Sequence, residues 1–249
     1  MNEPLAPGLY IVATPIGNLG DVTARAAETL CRVDRILAED KRVTAKLLAH
    51  LGATAPMTAY HDHSDDDLRQ RILADASVKA IALVSDAGTP LISDPGYKLV
   101  RAARASGIAI HTLPGPCAAI AALTLAGLPT DRFLFMGFLS SKAKARGASI
   151  AEVTTLRASL ILYESGPRLG DSLAALAEGL GDRPAAVIRE ITQLHEECVT
   201  GSLADLDAAL GDALSRLSPS RAAAEVATSL GVPKKRAYAR ALELAPREA

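Results

Sequence analysis

Three short segments rich in glycine, proline and polar residues each follow an aliphatic run. They cover residues 14–18 (TPIGN), 85–90 (SDAGTP) and 114–117 (PGPC). In open α/β sheets, ligands bind at the carboxyl ends of the strands, where glycine allows close backbone approach and proline stiffens the turn. Strand turns without a ligand have the same composition, so a shared ligand site and three unrelated turns are both open interpretations. An acid inside the second segment, Asp86, favours the ligand site.

Four carboxylates stand at predicted strand ends, where a general base or a hydrogen-bond acceptor would be placed. They are Glu39, Asp40, Asp86 and Glu164. A carboxylate at such a position can equally cap the following helix, so both roles stay open for each of them.

The run His61-Asp62-His63 combines two residue types that bind metal ions. Alternate residues of a strand point to the same side, so His61 and His63 share a side and Asp62 does not. No third histidine is nearby, and we therefore predict no metal site. Contact with a polar substrate and a solvated loop end remain as interpretations of the two histidines.

Several motifs of nucleotide and ester chemistry are missing from the sequence. No GxGxxG follows the first predicted strand, and no GxxxxGK[ST] or GxSxG occurs. Their absence argues against nucleotide hydrolysis, Rossmann-type dehydrogenase chemistry and an α/β-hydrolase.

Basic residues cluster in two places of a chain that is otherwise close to neutral, with a formal net charge of -1. A charge run is usually a solvated face, but phosphate neutralisation by lysine and arginine is also the sequence-independent part of nucleic-acid binding. With a net charge so close to zero, any binding of nucleic acid would be local. The residues are Lys142, Lys144 and Arg146 in the first cluster, and Lys234, Lys235 and Arg236 in the second.

The elements that position these residues alternate between short β-branched runs and longer helical patterns, which predicts an α/β fold with a largely parallel sheet. We predict strands over residues 9–13, 35–38, 56–60, 80–84 and 108–113, and then over 133–138, 160–163, 186–189 and 197–200. Asp21 and Asp94 are predicted to cap the helices that follow them. Residues 140–147 are too polar for a core and are predicted to form a loop.

The strand signals fall into two series, which predicts two domains and a helical tail. We place an N-terminal α/β domain at residues 1–115, a C-terminal α/β domain at 116–204 and a tail at 205–249. In the tail, helical patterns over 221–229 and 234–244 flank a glycine and a proline, which predicts a helix-turn-helix outline.

Length and composition are those of an ordered globular chain. Its 249 residues are 49% hydrophobic and 22% charged, which excludes extensive disorder. No apolar run approaches the length of a membrane span and no signal peptide is visible, so we expect a cytoplasmic protein. The cysteines Cys31, Cys117 and Cys198 are widely separated, which predicts inert buried thiols in a reducing compartment.

Read together, the motifs identify a known family. The relevant stretches are LYIVATPIGNL (9–19), AED (38–40), HDH (61–63), LVSDAGTP (83–90) with DPGY (94–97), PGPCAA (114–119), DRF (131–133), GFL (137–139), YES (163–165) and RE (189–190). They resemble the bacterial small-subunit ribosomal RNA cytidine 2′-O-methyltransferases, which are relatives of the tetrapyrrole methylases. The resemblance covers almost the whole chain.

The resemblance implies two α/β domains with S-adenosylmethionine in the cleft between them, a homodimer, and methylation of a cytidine ribose in the decoding region of 16S ribosomal RNA. By position, it assigns cofactor contacts to Pro15, Val84, Ser85, Asp86, Gly88, Cys117, Ala118, Tyr163, Glu164 and Ile191. The base stays open among Glu39, Asp40, His61 and His63, and both basic clusters become candidate RNA contacts. A methylase acting on a tetrapyrrole carbon and a non-catalytic ribosome-binding protein are the alternatives.

The chain departs from the family in two places. It has Phe138-Leu139-Ser140 where relatives have Phe-Leu-Pro. Furthermore, residues 201–203 lead almost directly into a helical pattern over 205–217, where relatives carry a Gly-Glu-led aliphatic strand and a linker. Either the chain has lost an edge strand of the second sheet, or a segment is missing from the sequence.

Overall fold

The computed structural model of the chain describes residues 4–203 and residue 205, without the side chain of Pro167. The chain separates into two compact units, Met1–Ala118 and Ala119–Ala249. The α/β class predicted from the sequence is confirmed in both units. The division falls three residues after the boundary drawn from the sequence pattern.

The first unit is built on a parallel sheet of five strands in the order β3-β2-β4-β1-β5. The strands are β1 Gly8–Val12, β2 Arg35–Ala38, β3 Met57–Ala59, β4 Ala80–Leu83 and β5 Ile110–Leu113. The helices between them are α1 Ala24–Arg32, α2 Lys41–Leu51, α3 Asp66–Ala76 and α4 Tyr97–Ala105. The parallel alignment places the carboxyl ends of all five strands along one edge.

Helices cover both faces of this sheet, so its central strands are buried throughout. On one face, Val12 and Ala82 pack with Leu30 of α1 and Leu48 of α2. On the other, the neighbouring residues of the same strands pack against α3 and α4. A strand covered on both faces consists of continuous aliphatic residues, as the run over residues 80–84 predicted.

Two helix caps differ from the sequence prediction. Helix α1 begins after Thr23, whose hydroxyl accepts a hydrogen bond from the Ala26 amide at 3.1 Å, while Asp21 lies in a short 3-10 helix before it. Helix α4 begins after Gly96, not after Asp94. Gly96 has a φ of 133°, and a Cβ there would lie 2.7 Å from Leu83 Cδ2. Glycine is therefore required at this position, and Asp94 does not cap α4.

In the part of the second unit that the structure describes, the strands form two separate pairs. Strands β6 Phe133–Phe138 and β7 Ser159–Tyr163 are parallel, whereas β8 Pro184–Arg189 and β9 Glu197–Ser202 are antiparallel. The helices described with them are α5 Ala118–Leu125, α6 Ala143–Ala151 and α7 Leu169–Leu180. A small core joins α6 and α7 through Ile150 and Leu176.

Two local predictions about side chains and loops are wrong. The segment 140–147 is not a loop throughout, because α6 begins at Ala143 and exposes Lys144, with Arg146 and Ser149 half-buried and Ile150 buried in the core. Cys31 and Cys198 are exposed, not buried, since they lie on the solvent sides of α1 and β9, and Cys117 is half-buried.

The predicted helix-turn-helix over 221–244 lies outside the described residues. Within the described part of the chain, no helix is long and apolar enough to cross a membrane.

The two candidate caps of α1 make a direct stability test. We expect Thr23→Ala to lower the free energy of unfolding by about 1 kcal/mol, because the Ala26 amide loses its acceptor. Thr23→Ser keeps the hydroxyl and is the matched control. Asp21→Ala should cost less, since Asp21 Oδ2 is buried with no hydrogen-bond partner among the described residues. Urea unfolding of the three variants decides the point, and a larger loss for Asp21→Ala would contradict the assignment.

Candidate functional site

The three loops singled out in the sequence leave adjacent strands β4, β1 and β5 and are tied together beyond the sheet. Thr14 and Gly88 exchange backbone hydrogen bonds at 2.8 and 3.1 Å. The Thr14 hydroxyl also donates to the Ser85 carbonyl at 3.3 Å. On the other side, the Thr89 hydroxyl donates to the Pro116 carbonyl at 2.9 Å. The structure therefore brings the three loops into one cluster.

Glycines allow the close approach of these loops. Gly88 has a φ of 86°, and a Cβ there would lie 3.1 Å from Ile16 Cγ2. At Gly115, a Cβ would lie 3.0 Å from the Cβ of Ala13. Larger residues at either position would force the loops apart, so the glycines of the motifs serve the packing of the cluster itself.

Three acids from two loops lie together at this edge: Glu39 after β2, and Asp86 and Asp94 after β4. Asp86 Oδ1 accepts the backbone N–H of Asp40 at 2.9 Å, which joins the end of β2 to the loop after β4. Burial and the nearby Asp86 raise the pKa of Glu39, an effect that His61 partly offsets. Burial raises the pKa of Asp94 to about 6, with Glu39 and Asp86 contributing in the same direction against a hydrogen bond from Ser85.

Asp40 has a different role from these acids. Its carboxylate caps α2 by accepting the Arg42 amide at 2.8 Å, and it pairs with the Arg42 guanidinium at 2.6 Å. These hydrogen bonds hold the pKa of Asp40 at about 2. A carboxylate that binds protons so weakly is poorly suited to act as a general base.

The histidine run, residues 61–63, lies between β3 and α3. His61 and His63 are exposed, and His61 is close enough to Glu39 to affect its pKa. Asp62 Oδ1 accepts the Gly96 amide at 2.9 Å and so supports the start of α4. Among the described residues, no group of three histidine, cysteine or acidic side chains is arranged to hold a metal ion.

In the second unit, Tyr163 is the last residue of strand β7 and Glu164 follows it. The Tyr163 hydroxyl accepts the Ala119 amide at 3.1 Å, and its ring packs edge-on against Phe135. Glu164 is only 9% exposed and accepts hydrogen bonds from the Ser165 amide at 2.7 Å and the Ser172 hydroxyl at 2.6 Å. These bonds anchor the turn between β7 and α7.

Two of the segments that the resemblance assigns to the cofactor contain non-glycine residues with positive φ. Leu91 and Ser93, in the loop after β4, have φ values of 73° and 65°. Glu190 and Thr192, on either side of Ile191, have φ values of 51° and 66°. Non-glycine residues in this conformation cost free energy and concentrate at ligand sites and switch regions.

Two features of the site were missed in the sequence. Asp94 was interpreted as a helix cap, and the fold brings it near Asp86 of the same loop and Glu39 after β2. The Thr192 hydroxyl is buried without a hydrogen-bond partner in the described part of the chain, which is unusual for a native protein. In the sequence, the only signal for Thr192 was its neighbour Ile191, which the resemblance assigned to the cofactor.

The first basic cluster lies at the start of α6. Lys142 and Lys144 are exposed and Arg146 is half-buried. Lys234, Lys235 and Arg236 lie outside the described residues.

This chain resembles proteins of known families in sequence and in structure. The sequence model of the family Tetrapyrrole (Corrin/Porphyrin) Methylases matches residues 8–207, and that of the RsmI C-terminal HTH domain matches residues 200–245. Among solved structures, diphthine synthase superposes with a TM-score of 0.64 at 16% identity, over 80% of this chain and 83% of that chain. Uroporphyrin-III-C-methyltransferase from Thermus thermophilus superposes with a TM-score of 0.58 at 19% identity, over 97% of this chain and all of the other.

The chain therefore belongs to the tetrapyrrole methylase family. Curated relatives define its branch more closely. Ribosomal RNA small subunit methyltransferase I of Erythrobacter litoralis is 52% identical over 97% of both chains, and that of Mesorhizobium japonicum is 41% identical over 97% of this chain and 94% of the relative. That of Escherichia coli O157:H7 is 51% identical over 76% of this chain and 66% of the relative. Within the family, this chain belongs with the ribosomal RNA small subunit methyltransferase I proteins.

The raised pKa of Asp94 predicts a pH-dependent stability. Between about pH 4 and pH 6, the folded protein holds a proton on Asp94 that the unfolded chain has released, so this group makes the free energy of unfolding fall as the pH rises. We expect Asp94→Asn, which carries no titrating proton, to flatten that fall. Urea unfolding across the window measures it, with Asp67→Asn on the exposed first turn of α3 as the control. Equal pH dependence in wild type and Asp94→Asn would contradict the prediction.

Proposed function

We propose that this chain transfers the methyl group of S-adenosylmethionine to the 2′-hydroxyl of a cytidine ribose in the decoding region of 16S ribosomal RNA. The observation that carries the proposal is the 52% identity, over 97% of both chains, to a relative named ribosomal RNA small subunit methyltransferase I. An RNA substrate in the small subunit would place the enzyme in the cytoplasm. The homodimer implied by the resemblance is part of the proposal.

The loop cluster of the first unit suits a small polar cofactor. S-adenosylmethionine carries a positively charged sulfur and an amino acid tail, which require carboxylate, carbonyl and amide partners. Asp86 uses Oδ1 for the Asp40 amide, while its second oxygen makes no hydrogen bond to the described residues and is free to accept one. Val84 is 2% exposed, so its contact would be made by the backbone. Pro15, Ser85, Gly88, Cys117 and Ala118 complete this proposed set.

The second unit offers a further polar partner. The hydroxyl of Thr192, buried and unpaired among the described residues, would gain a hydrogen bond from a ligand beside Ile191. Both oxygens of Glu164 already accept hydrogen bonds from neighbouring serines. We therefore assign Glu164 to support of the loop that carries Tyr163, and assign the direct contacts to Tyr163 and Ile191.

The reaction requires alignment and a base. S-adenosylmethionine, held at the loop cluster that carries Asp86, would supply an electrophilic methyl group for the ribose oxygen and would leave as the neutral thioether. The protein must hold the hydroxyl in line and accept its proton. Among the proposed bases, Glu39 has the raised pKa and the proximity to His61 that favour proton transfer, while the low pKa of Asp40 disfavours it. His63 stays a candidate without a supporting contact.

The alternative substrates are less well supported. The tetrapyrrole methylases that superpose on this chain are under 20% identical and share the fold alone. Relatives at 41% identity and above carry the ribosomal RNA name. A non-catalytic ribosome-binding protein would not need the strained loops and unpaired hydroxyl described above.

Mass spectrometry of 16S ribosomal RNA from cells lacking the gene tests the function. We expect one cytidine of the decoding region to lose its ribose methyl group and to regain it when the wild-type gene is restored. A restored gene carrying Asp86→Asn, with the protein present at wild-type level, is the matched control and should leave methylation reduced. An unchanged methylation pattern in the deletion strain would overturn the proposal.

The role of Asp86 is tested by cofactor affinity. We expect Asp86→Ala and Asp86→Asn both to weaken S-adenosylmethionine binding by about 1.5–3 kcal/mol, because a hydrogen bond to a charged group is lost. Asp86→Asn retains an oxygen for the Asp40 amide, so it should keep the thermal stability of wild type more closely than Asp86→Ala. Calorimetric titration measures the affinity. Wild-type affinity in folded Asp86→Asn would remove Asp86 from the site.

The basic clusters are tested by the salt dependence of binding to the small ribosomal subunit. Replacing Lys142, Lys144 and Arg146 with alanine should weaken binding and make the salt dependence shallower, because phosphate contacts release counterions. The same outcome is expected for Lys234, Lys235 and Arg236. A matched variant removes three exposed bases on α2, α3 and α4: Lys46, Arg71 and Arg104. An equal effect in this variant, or none in the clusters, would reject a docking role.

A further inference from the structure

Two strand edges of the second unit border one cavity. Among the described residues, β7 pairs only with β6, and β8 pairs only with β9. A cavity of about 600 Å³ is lined by every residue of Ser159–Tyr163 and of Pro184–Arg189. An open edge presents a row of backbone N–H and C=O groups that need partners and readily accept another strand. The cavity therefore has hydrogen-bonding sides along the length of two strands.

The two strands begin at the same end of the cavity. Arg183, directly before β8, donates from its guanidinium to the carbonyl of Ala158, directly before β7, at 3.4 Å. Paired strands lie about 4.8 Å apart, so strands with one position open between them lie about 10 Å apart. A long side chain, rather than the backbone, bridges β7 and β8, as expected across one open strand position.

Helix α7 supplies an apolar wall. Leu169, Leu173, Leu176 and Leu180 all line the cavity and recur at intervals of four, three and four residues, which places them on one face of the helix. Leucines in this arrangement bury the side chains of an aliphatic strand. The open position thus combines polar edges with an apolar wall, which is the environment of a strand inside an α/β sheet.

The curated relatives have residues that this chain lacks. The alignment with the Erythrobacter litoralis relative covers 272 positions, 23 more than the 249 residues of this chain, so at least 23 positions have no residue here. The two family matches, to residues 8–207 and 200–245, overlap by residues 200–207. That overlap leaves no connecting residues at the point where the family resemblance indicated either a lost edge strand or a missing segment. The position left open is internal, between β7 and β8, rather than at an edge.

We propose that the cavity between β7 and β8 is a slot for one added β-strand and that it binds an extended aliphatic peptide segment of another polypeptide. The segment would have about five or six residues, to match the lengths of β7 and β8. Three bases, Arg132, Arg157 and Arg183, and one acid, Asp131, line the end at which both strands begin, so an acidic residue at that end of the peptide would be favoured. The proposal does not depend on the methyltransferase function.

Amide hydrogen exchange of the full chain with synthetic peptides tests the proposal. The probe is an octapeptide of valine, isoleucine and threonine with aspartate at one end, and its control replaces two central residues with proline, which cannot donate. We expect the probe to slow exchange in both β7 and β8 by about tenfold or more, and to leave β1 and β4 unchanged. The proline peptide should have no effect. Equal protection by both peptides, or none by the probe, would overturn the proposal.

Other occupants give distinct results in the same experiment. If β7 and β8 are already protected without peptide, and protection rises with protein concentration, a second copy of the chain fills the slot and the proposal fails. Protection that is independent of concentration would mean that the chain closes the slot itself, which also overturns it. On the protein side, Leu173→Lys should weaken peptide binding at least tenfold, whereas Leu173→Met should retain it. Circular dichroism confirms that both variants are folded, and the peptide pair remains decisive if one is not.

Discussion

The reciprocal backbone hydrogen bonds between Thr14 and Gly88 connect the candidate site of the first unit to its fold. Strands β1 and β4 are neighbours in a parallel sheet, so their loops leave at the same edge. Two further bonds extend this link to Ser85 on one side and, through Thr89, to Pro116 on the other. Two of these contacts join backbone groups and two are donated by the hydroxyls of Thr14 and Thr89, and together they hold Asp86 where it can accept a hydrogen bond.

The acids at this edge have different properties because their surroundings differ. Asp40 is paired with Arg42 and has its pKa lowered to about 2, while Asp94 is half-buried among acids and has its pKa raised to about 6. Burial and the nearby Asp86 raise the pKa of Glu39, and His61 partly offsets this effect. One sheet edge therefore combines a carboxylate that is held as an anion for structure with two acids whose pKa values are raised. Such separation of pKa values is typical of sites that move protons.

Local patterns predicted those parts of the fold that depend on neighbouring residues. Strands β2 and β6 have the predicted bounds, Arg35–Ala38 and Phe133–Phe138, because an apolar pattern is a property of the segment itself. Helix α6 was missed because its packing depends on one buried residue, Ile150, whose partners lie on α7. Asp94 was missed as a site residue because its pKa depends on burial by the fold and on Asp86 and Glu39, which are 8 and 55 positions away. The residues assigned to the cofactor came from the family resemblance, and they stay predictions.

Amide hydrogen exchange with S-adenosylmethionine locates the proposed methyl-donor site. We expect saturating cofactor to slow exchange in residues 14–18, 85–91 and 114–117 of the first unit and in 190–192 of the second, while the exposed turns of α2 and α3 remain unchanged. Saturable binding of the cofactor without protection of these loops would mean that it binds elsewhere and would overturn the proposed site.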